Sequence, residues 1–423
     1  MAAVVELSNS VVQSLCQRYL YEQEPSSAFE IVSYKLKPTS DAPAGYLGSH
    51  SFLNVTLRLH DGKELKHLRF FSKAAPQGNP SHMDYLEDFG VFEKEISVYK
   101  HLLPAIQAAC APVAPKSFYA NNNLLVFENL ADQGYRMGAT RDGLLNYEQL
   151  HCCLKTLAAM HAGSIIHEVR TQQPINVSQP SCVVENAYPS DVPPEHLRLV
   201  NFQNACLVLK EIIKTMPKYA AKLDYILLNF TERMSRIFEL VKPSKQFQNT
   251  LLHGDLWANN VMFQYGKYGE TPLQCVLVDF QLARYAPPAM DVLTILTIPT
   301  SREFREQHMK ELLAEYYRFM SEFMRRAGLQ LADYISEQQY YASIEHYRIT
   351  GLIESCLFCH LVILPPSCTQ KLTSNADGFS DFFSRKRIEI CMEAYNTDEL
   401  YRSRMQDMLE DLVDNFVLDN NAI

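Results

Sequence analysis

The segment His253-Gly254-Asp255-Leu256-Trp257-Ala258-Asn259-Asn260 sets an aspartate five residues before an asparagine, and Val278-Asp279-Phe280 follows downstream. Phosphoryl transfer from a nucleotide needs one carboxylate to accept a hydroxyl proton and further oxygen donors for a divalent cation. The pattern H-x-D-L-x-x-x-N is met at every specified position. Asp255 is accordingly read as the base, and Asn260 and Asp279 as ligands of Mg²⁺. An aspartate before an apolar run is also a common helix N-cap, and a lone asparagine is more often a turn residue. The spacing between the two favours the chemical reading. Asp279 ends the apolar run Cys275-Val276-Leu277-Val278, which reads as a short strand delivering a carboxylate at its C-terminal end. His253 is read as structural, packing and donating hydrogen bonds that shape the loop.

Such chemistry also needs a lysine for the nucleotide phosphates and a helix carboxylate to hold it. Lys73 ends the strand-like run Leu68-Arg69-Phe70-Phe71-Ser72. Glu95 is its expected partner, because Phe92, Glu95 and Tyr99 share one helical face; Glu93 competes for the role. The stretch Ala44-Gly45-Tyr46-Leu47-Gly48-Ser49-His50-Ser51 is the expected phosphate cover, with Gly48 allowing close backbone approach and Ser49 donating. It departs from G-x-G-x-x-G, and an ordinary hairpin loop is the competing reading. In Phe127-Glu128-Asn129-Leu130, backbone groups around Glu128 and Leu130 are expected to read the adenine of ATP between two lobes.

The elements that must position these groups divide into two kinds. A short helix over 8–21 is followed by strands at Phe29–Leu36, Phe52–Leu59 and Leu65–Ser72, the last two joined by an Asp61-Gly62 turn. A helix over Phe89–Leu103 is expected to end before Pro104. Lys116–Ala120 and Leu124–Phe127 make another strand pair. From Tyr147 onward the periodicity is helical: 147–161, then Asn204–Met216, Lys222–Leu240 and several segments after 303, with 165–195 expected as a surface loop. The fold class is therefore α+β and two-lobed, with a small β-rich lobe over 1–130 and a large helical lobe over 131–423.

A net charge of −9 over 423 residues, without a basic run, argues against a nucleic-acid surface. No stretch approaches the length of a membrane span, no secretory signal is seen, and eleven scattered cysteines fit a reducing compartment. A cytoplasmic location is expected. Cys356-Leu357-Phe358-Cys359-His360 matches a haem-attachment pattern but lies in an apolar run, so a buried helix is the better account.

The motifs His253–Asn260, Val278-Asp279-Phe280-Gln281, Pro288 and Asp291 together resemble the CHK-kinase-like, or ecdysteroid kinase-like, family of arthropod small-molecule kinases. Trp257 and Gln281 are the most specific marks, and Leu157-Ala158-Ala159-Met160-His161-Ala162 adds to them. The resemblance covers about residues 30–300, and wider relatives are choline kinases and aminoglycoside phosphotransferases. It implies a protein-kinase-like fold and transfer of the γ-phosphate of ATP to a hydroxyl of an ecdysteroid, steroid-like or xenobiotic alcohol. It makes Asp255 the base, Asn260 and Asp279 the metal ligands, Lys73 with Glu95 the nucleotide-positioning pair, and Asp291 a brace for the catalytic loop. The family's glycine followed by Glu-Asn is replaced here by Gly48-Ser49-His50-Ser51. A protein kinase is disfavoured, because Asp279 and Asp291 are too close for a peptide-docking segment. A choline- or ethanolamine-type kinase, or a catalytically silent binder of nucleotide or lipophilic ligand, is the alternative.

Overall fold

Alternation along Ser49–Leu59 buries Leu53, Val55 and Leu57 and turns their neighbours outward, the period-2 signature of a strand with one face on a core. In the computed structural model, residues 7–23, 28–39, 48–59, 65–75, 89–121, 123–138, 142–266, 269–373 and 386–418 are described. The Asp61-Gly62 turn and Ala44–Leu47 of the expected phosphate cover lie outside them. The chain opens with α1 (Asn9–Gln23), β1 (Phe29–Pro38), β2 (Ser49–Leu59) and β3 (Leu65–Ala74). After α2 (Val91–Ser97) and α3 (Leu103–Ala109), β4 (Ser117–Asn121) and β5 (Leu124–Glu128) complete an antiparallel sheet of order β1-β2-β3-β5-β4.

Both faces of this sheet are covered. Val12, Leu15, Cys16 and Leu20, spaced to share one stripe of α1, pack with Leu53, Val55, Phe70, Phe118 and Val126. The opposite face sends Leu125 and Phe127 into the main core beside Tyr99 of the segment joining α2 and α3. Pro104 does not end the helical path. It sits in the first turn of α3, where its missing N–H is not needed, and a π-type turn at Val98–Leu102 joins α3 to α2.

The large lobe is mostly helical. A short strand β6 (Tyr135–Met137) precedes α4 (Tyr147–Thr171), which starts at an Asn146–Gln149 capping box. Ile165 and Ile166 continue its buried face, so α4 runs ten residues beyond His161 and takes the start of the expected 165–195 loop. Then come α5 (Leu197–Lys214), α6 (Leu223–Ser235), β7 (Thr250–Leu252), β8 (Val261–Tyr265), β9 (Pro272–Leu277) and β10 (Arg284–Ala286). Two small sheets, β10-β7 and β6-β8-β9, flank the site. The chain closes through α7 (Ala289–Thr297), α8 (Arg302–Arg326), α9 (Glu337–Val362), α10 (Pro366–Thr373), α11 (Arg387–Thr397) and α12 (Glu399–Leu412). The chain is thus a two-lobed α+β protein, as expected.

Cys356, Cys359 and His360 are buried on α9, and the His360 ring bonds the Cys356 carbonyl at 3.0 Å. All eleven cysteines are free thiols. Among the described residues no helix is long and apolar enough to cross a membrane.

Helix α9 crosses α7 at Gly351, where an added Cβ would lie 2.8 Å from Thr297 Oγ1 and 2.9 Å from the Leu293 carbonyl oxygen. Neither backbone can retreat without unpacking the core. Gly351→Val is expected to lower stability by roughly 1–3 kcal/mol in urea unfolding; an unchanged midpoint would contradict the crossing.

Candidate active site

The alternation that buries Leu68 and Phe70 against α1 turns Phe71 and Lys73 to the other side of β3, toward α2. There Lys73 Nζ donates to Glu95 Oε2 at 2.7 Å and to Asp279 Oδ1 at 2.9 Å. Burial works against the ammonium, but the charges of Asp279 and Glu95 outweigh it and hold Lys73 above the ordinary lysine range. Glu93, the competing carboxylate, faces solvent. Its neighbour Lys94 is buried and donates to the Ala283 carbonyl at 3.1 Å, tying α2 to the segment after Asp279.

Strand β7 leads into the loop His253–Asn260, the expected catalytic segment. Gly254 has φ +77°, and a Cβ there would lie 2.1 Å from the Leu282 carbonyl oxygen, so only glycine fits. The backbone N–H groups of His253 and Gly254 donate to Asp291 Oδ2 and Oδ1 at 2.6 and 3.1 Å. Asp291 also meets His161 Nε2 at 3.3 Å, and His161 Nδ1 lies 2.7 Å from the Tyr316 hydroxyl. Burial opposes the Asp291 charge, yet these hydrogen bonds and the neighbouring histidines keep its carboxyl below the usual range.

The His253 ring accepts from the Asp255 N–H at Nδ1 (3.3 Å) and faces the Val278 carbonyl with Nε2 (2.9 Å). Those partners select the neutral Nε2–H tautomer, and burial lowers the ring's pKa to match. Asp255 lies in an extended loop, not at a helix N-cap, and its carboxylate accepts from Asn260 Nδ2 at 2.9 Å. The same amide donates to the Asp255 carbonyl at 2.8 Å, and the Asn260 carbonyl accepts from Val278 N–H at 2.9 Å. Burial, then the charge of Asp279, pushes the Asp255 carboxyl up to about 8; the Asn260 hydrogen bond opposes this. Asp279 itself has φ +71°. A left-handed aspartate is strained by ~1–3 kcal/mol, and strain of this kind gathers at functional sites.

Of the two expected metal ligands, Asp279 has one carboxylate oxygen beyond the one on Lys73, and Asn260 has its amide oxygen, since its amide nitrogen is spent on Asp255. Among the described residues no group of three or more acidic, histidine or cysteine side chains is placed to hold a metal ion. One carboxylate with one neutral oxygen suits Mg²⁺, which takes its other ligands from phosphates and water.

The remaining expected groups fall as follows. Gly48 lies over the Lys73 stem, where a Cβ would meet Lys73 Cε at 3.0 Å, and Ser49 is exposed opposite Ala74. Glu128 is three positions along β5 from Leu125, the partner of Lys73, or about 10 Å. Its carboxylate is engaged by Lys116 N–H at 2.8 Å and Gln133 Nε2 at 2.7 Å, and Leu130 is buried against Tyr135 and Val276. Their side chains are thus occupied in packing, leaving only backbone groups for a ligand. A further buried charge beside the loop is Arg284, which meets Glu185 Oε2 at 3.1 Å and Glu354 Oε1 at 3.2 Å, with Thr294 donating to Glu354 Oε2 at 2.6 Å. A lone arginine in the apolar stretch after Asp279 was the available signal. His161 also escaped assignment, although a histidine on an apolar helix face needs a partner.

Comparison with known proteins gives a family and several distant likenesses. The profile of the ecdysteroid kinase-like family matches residues 46–329. Over 54 residues, 13% of this chain, the sequence is 33% identical to a 4-hydroxytryptamine kinase of Psilocybe cyanescens, and the match spans 15% of that protein. Of solved structures, the GDP complex of wild-type aminoglycoside 2'-phosphotransferase-IIIa is 13% identical, with 97% of this chain and 100% of that chain covered at a TM-score of 0.39. A microcompartment-associated aminopropanol kinase is 11% identical, with 91% and 99% covered at a TM-score of 0.41.

A carboxyl whose folded pKa exceeds its unfolded one binds its proton more tightly in the native state. Stability from Asp255 is therefore present below about pH 4 and is lost as pH rises toward about 8. Asp255→Asn keeps the hydrogen bond from Asn260 and removes the buried charge. The variant is expected to exceed the unsubstituted chain in thermal stability at pH 8, by an amount that shrinks toward pH 5; equal melting at pH 8 would show that Asp255 is not so perturbed.

Proposed function

Because the chain belongs to the ecdysteroid kinase-like family, a family of small-molecule kinases, we propose that it transfers the γ-phosphate of ATP to a hydroxyl of a lipophilic small-molecule alcohol. The observation that carries this reading is one buried ammonium, Lys73, shared by Glu95 and Asp279, within electrostatic reach of an Asp255 hydrogen-bonded to Asn260.

Each group has a distinct task in the proposal. Lys73, held by Glu95, presents its charge to the nucleotide phosphates. Asp279 and Asn260 would hold Mg²⁺, which supplies charge neutralisation on the phosphates when bound. Asp255 orients the acceptor hydroxyl and takes its proton; a carboxyl raised toward neutrality suits proton transfer. His253 and Asp291 keep the loop in the one shape that aims Asp255. Gly48 gives the backbone room above Lys73, and backbone groups between Glu128 and Leu130 read the adenine.

The silent-binder alternative draws on the glycine-poor segment 44–51. Against it, Lys73, Asp255, Asn260 and Asp279 are all present, and loss of turnover usually shows at one of them.

Phosphate transfer from ATP should be followed by mass detection across ecdysteroids, sterols, choline and hydroxylated xenobiotics. Asp255→Ala is expected to reduce turnover by ~10²–10⁴-fold while Mg·ATP still binds; near-full turnover would reject Asp255 as the base. Asp279→Asn should leave the chain folded and weaken Mg·ATP binding by roughly tenfold or more. Unchanged Mg·ATP affinity in calorimetry would remove Asp279 from the metal site.

A further inference from the structure

Helix α2 is too short to place itself. Its 7 residues make about two turns, a length that is marginal for an isolated helix in water. No side chain among the described residues caps its N-terminus. Contacts with the large lobe take over that task. Asn186 Nδ2 donates to the Phe89 carbonyl at 2.6 Å, and the Arg198 guanidinium stands 3.3 Å from the centre of the Phe89 ring. Phe89 and Val91 share an apolar cluster with Leu282, from the segment after Asp279. The helix that carries Glu95 is thus seated on the lobe that carries Asp279.

Lys94 fastens a second side of the helix. Adjacent helix positions point about 100° apart, so Glu95 reaches the small sheet while Lys94 reaches the turn after Asp279. That turn is closed by the Ala283 N–H donating to the Phe280 carbonyl at 3.3 Å, and Lys94 Nζ donates to the Ala283 carbonyl at 3.1 Å. At its start, Asp279 shares Lys73 with Glu95. The contacts form a closed ring: Glu95 to Lys73, Lys73 to Asp279, along the turn to Ala283, and back through Lys94 to the residue beside Glu95. Such a ring fixes the rotation of α2, which one ion pair would leave free to swing.

Lysine is an expensive residue to use at this point. Lys94 is 4% exposed and reaches a main-chain carbonyl rather than a carboxylate. Burial lowers its pKa to about 7, opposed by the charge of Glu185 and reinforced by that of Arg284. An apolar side chain would fill the space without that penalty. What the lysine adds is direction, a donor aimed at one oxygen.

We propose that Lys94 and Asn186 are positioning residues for the reaction, seating α2 on the large lobe so that Glu95 holds Lys73 toward the nucleotide phosphates. The inference rests on the kinase reading above and gives the Lys73–Glu95 pair a support from outside the small lobe. Without that seat Glu95 turns away, and Lys73 is left on Asp279, an oxygen donor proposed for the cation.

The full chain is titrated with Mg·ADP in a calorimeter as the unsubstituted protein, Lys94→Met, Glu95→Gln and the double variant, with circular dichroism checking that each is folded. Lys94→Met should weaken Mg·ADP about tenfold, or roughly 1.4 kcal/mol. With Glu95→Gln already present, the same substitution should change affinity by less than about twofold. A loss of packing alone would weaken both backgrounds alike. Asn186→Ala cuts the contact at Phe89, leaves Lys94 in place and should behave the same way; it serves where Lys94→Met does not fold. Unchanged Mg·ADP affinity in either folded variant, an equal loss in the Glu95→Gln background, or failure of both to fold would overturn the positioning role and leave the kinase reading in place. Failure of the unsubstituted chain to bind Mg·ADP would instead bring down the kinase reading, and this inference with it.

Discussion

A single ammonium shared by two carboxylates holds the site together. Lys73 comes from the small sheet, Glu95 from a helix beside it, and Asp279 from the loop after β9, 206 residues away in sequence from the lysine. Three elements that share no local sequence signal are thus pinned to one point. Breaking a buried pair by removing one partner typically destabilises by ~3–5 kcal/mol, because the other charge is left uncompensated. Without Lys73, Glu95 and Asp279 would be left as two uncompensated carboxylates, and α2 would be held by its buried apolar face and the Lys94 bond to the Ala283 carbonyl.

The loop His253–Asn260 is arranged around an opposite kind of constraint. Asp255 is unfavourable to keep ionised where it sits, being buried and facing another carboxylate. Other interactions hold it there. Asp291 accepts two loop N–H groups and is itself steadied by His161, which the Tyr316 hydroxyl orients in turn. The neutral His253 ring bridges the Asp255 backbone to the Val278 carbonyl. Stability is concentrated in the braces and withheld from the group proposed to react, the usual division between scaffold and site.

How much of this could be read from the chain depended on the range of the interaction. The strands and helices were legible because period-2 and helical spacing are local; Leu53, Val55 and Leu57 show one and Val12, Leu15, Cys16 and Leu20 the other. The spacing of Asp255 and Asn260 was legible for the same reason, since a five-residue step already decides which groups share a loop. Glu95 and Glu93 lie on one short helix; spacing with Phe92 and Tyr99 favours Glu95, and burial separates the two. Pro104 misled, because a π-type turn upstream accommodates it without ending the helical path. Arg284 stands out in the chain only as a lone arginine in an apolar stretch; its partners Glu185 and Glu354 lie far off in sequence, so nothing local identifies them. Residues 44–47 of the expected phosphate cover lie outside the described residues, while Gly48–Ser51 of the same stretch lead into and begin β2.

The most direct measurement is a crystal structure of the full chain with Mg²⁺ and a non-hydrolysable ATP analogue. The account predicts a metal ion on the oxygens of Asp279 and Asn260, the Lys73 ammonium on the nucleotide phosphates with Glu95 still behind it, and the Asp255 carboxylate aimed at the space in line with the terminal phosphate. A nucleotide bound away from Lys73, or a metal ion held by other side chains, would contradict it.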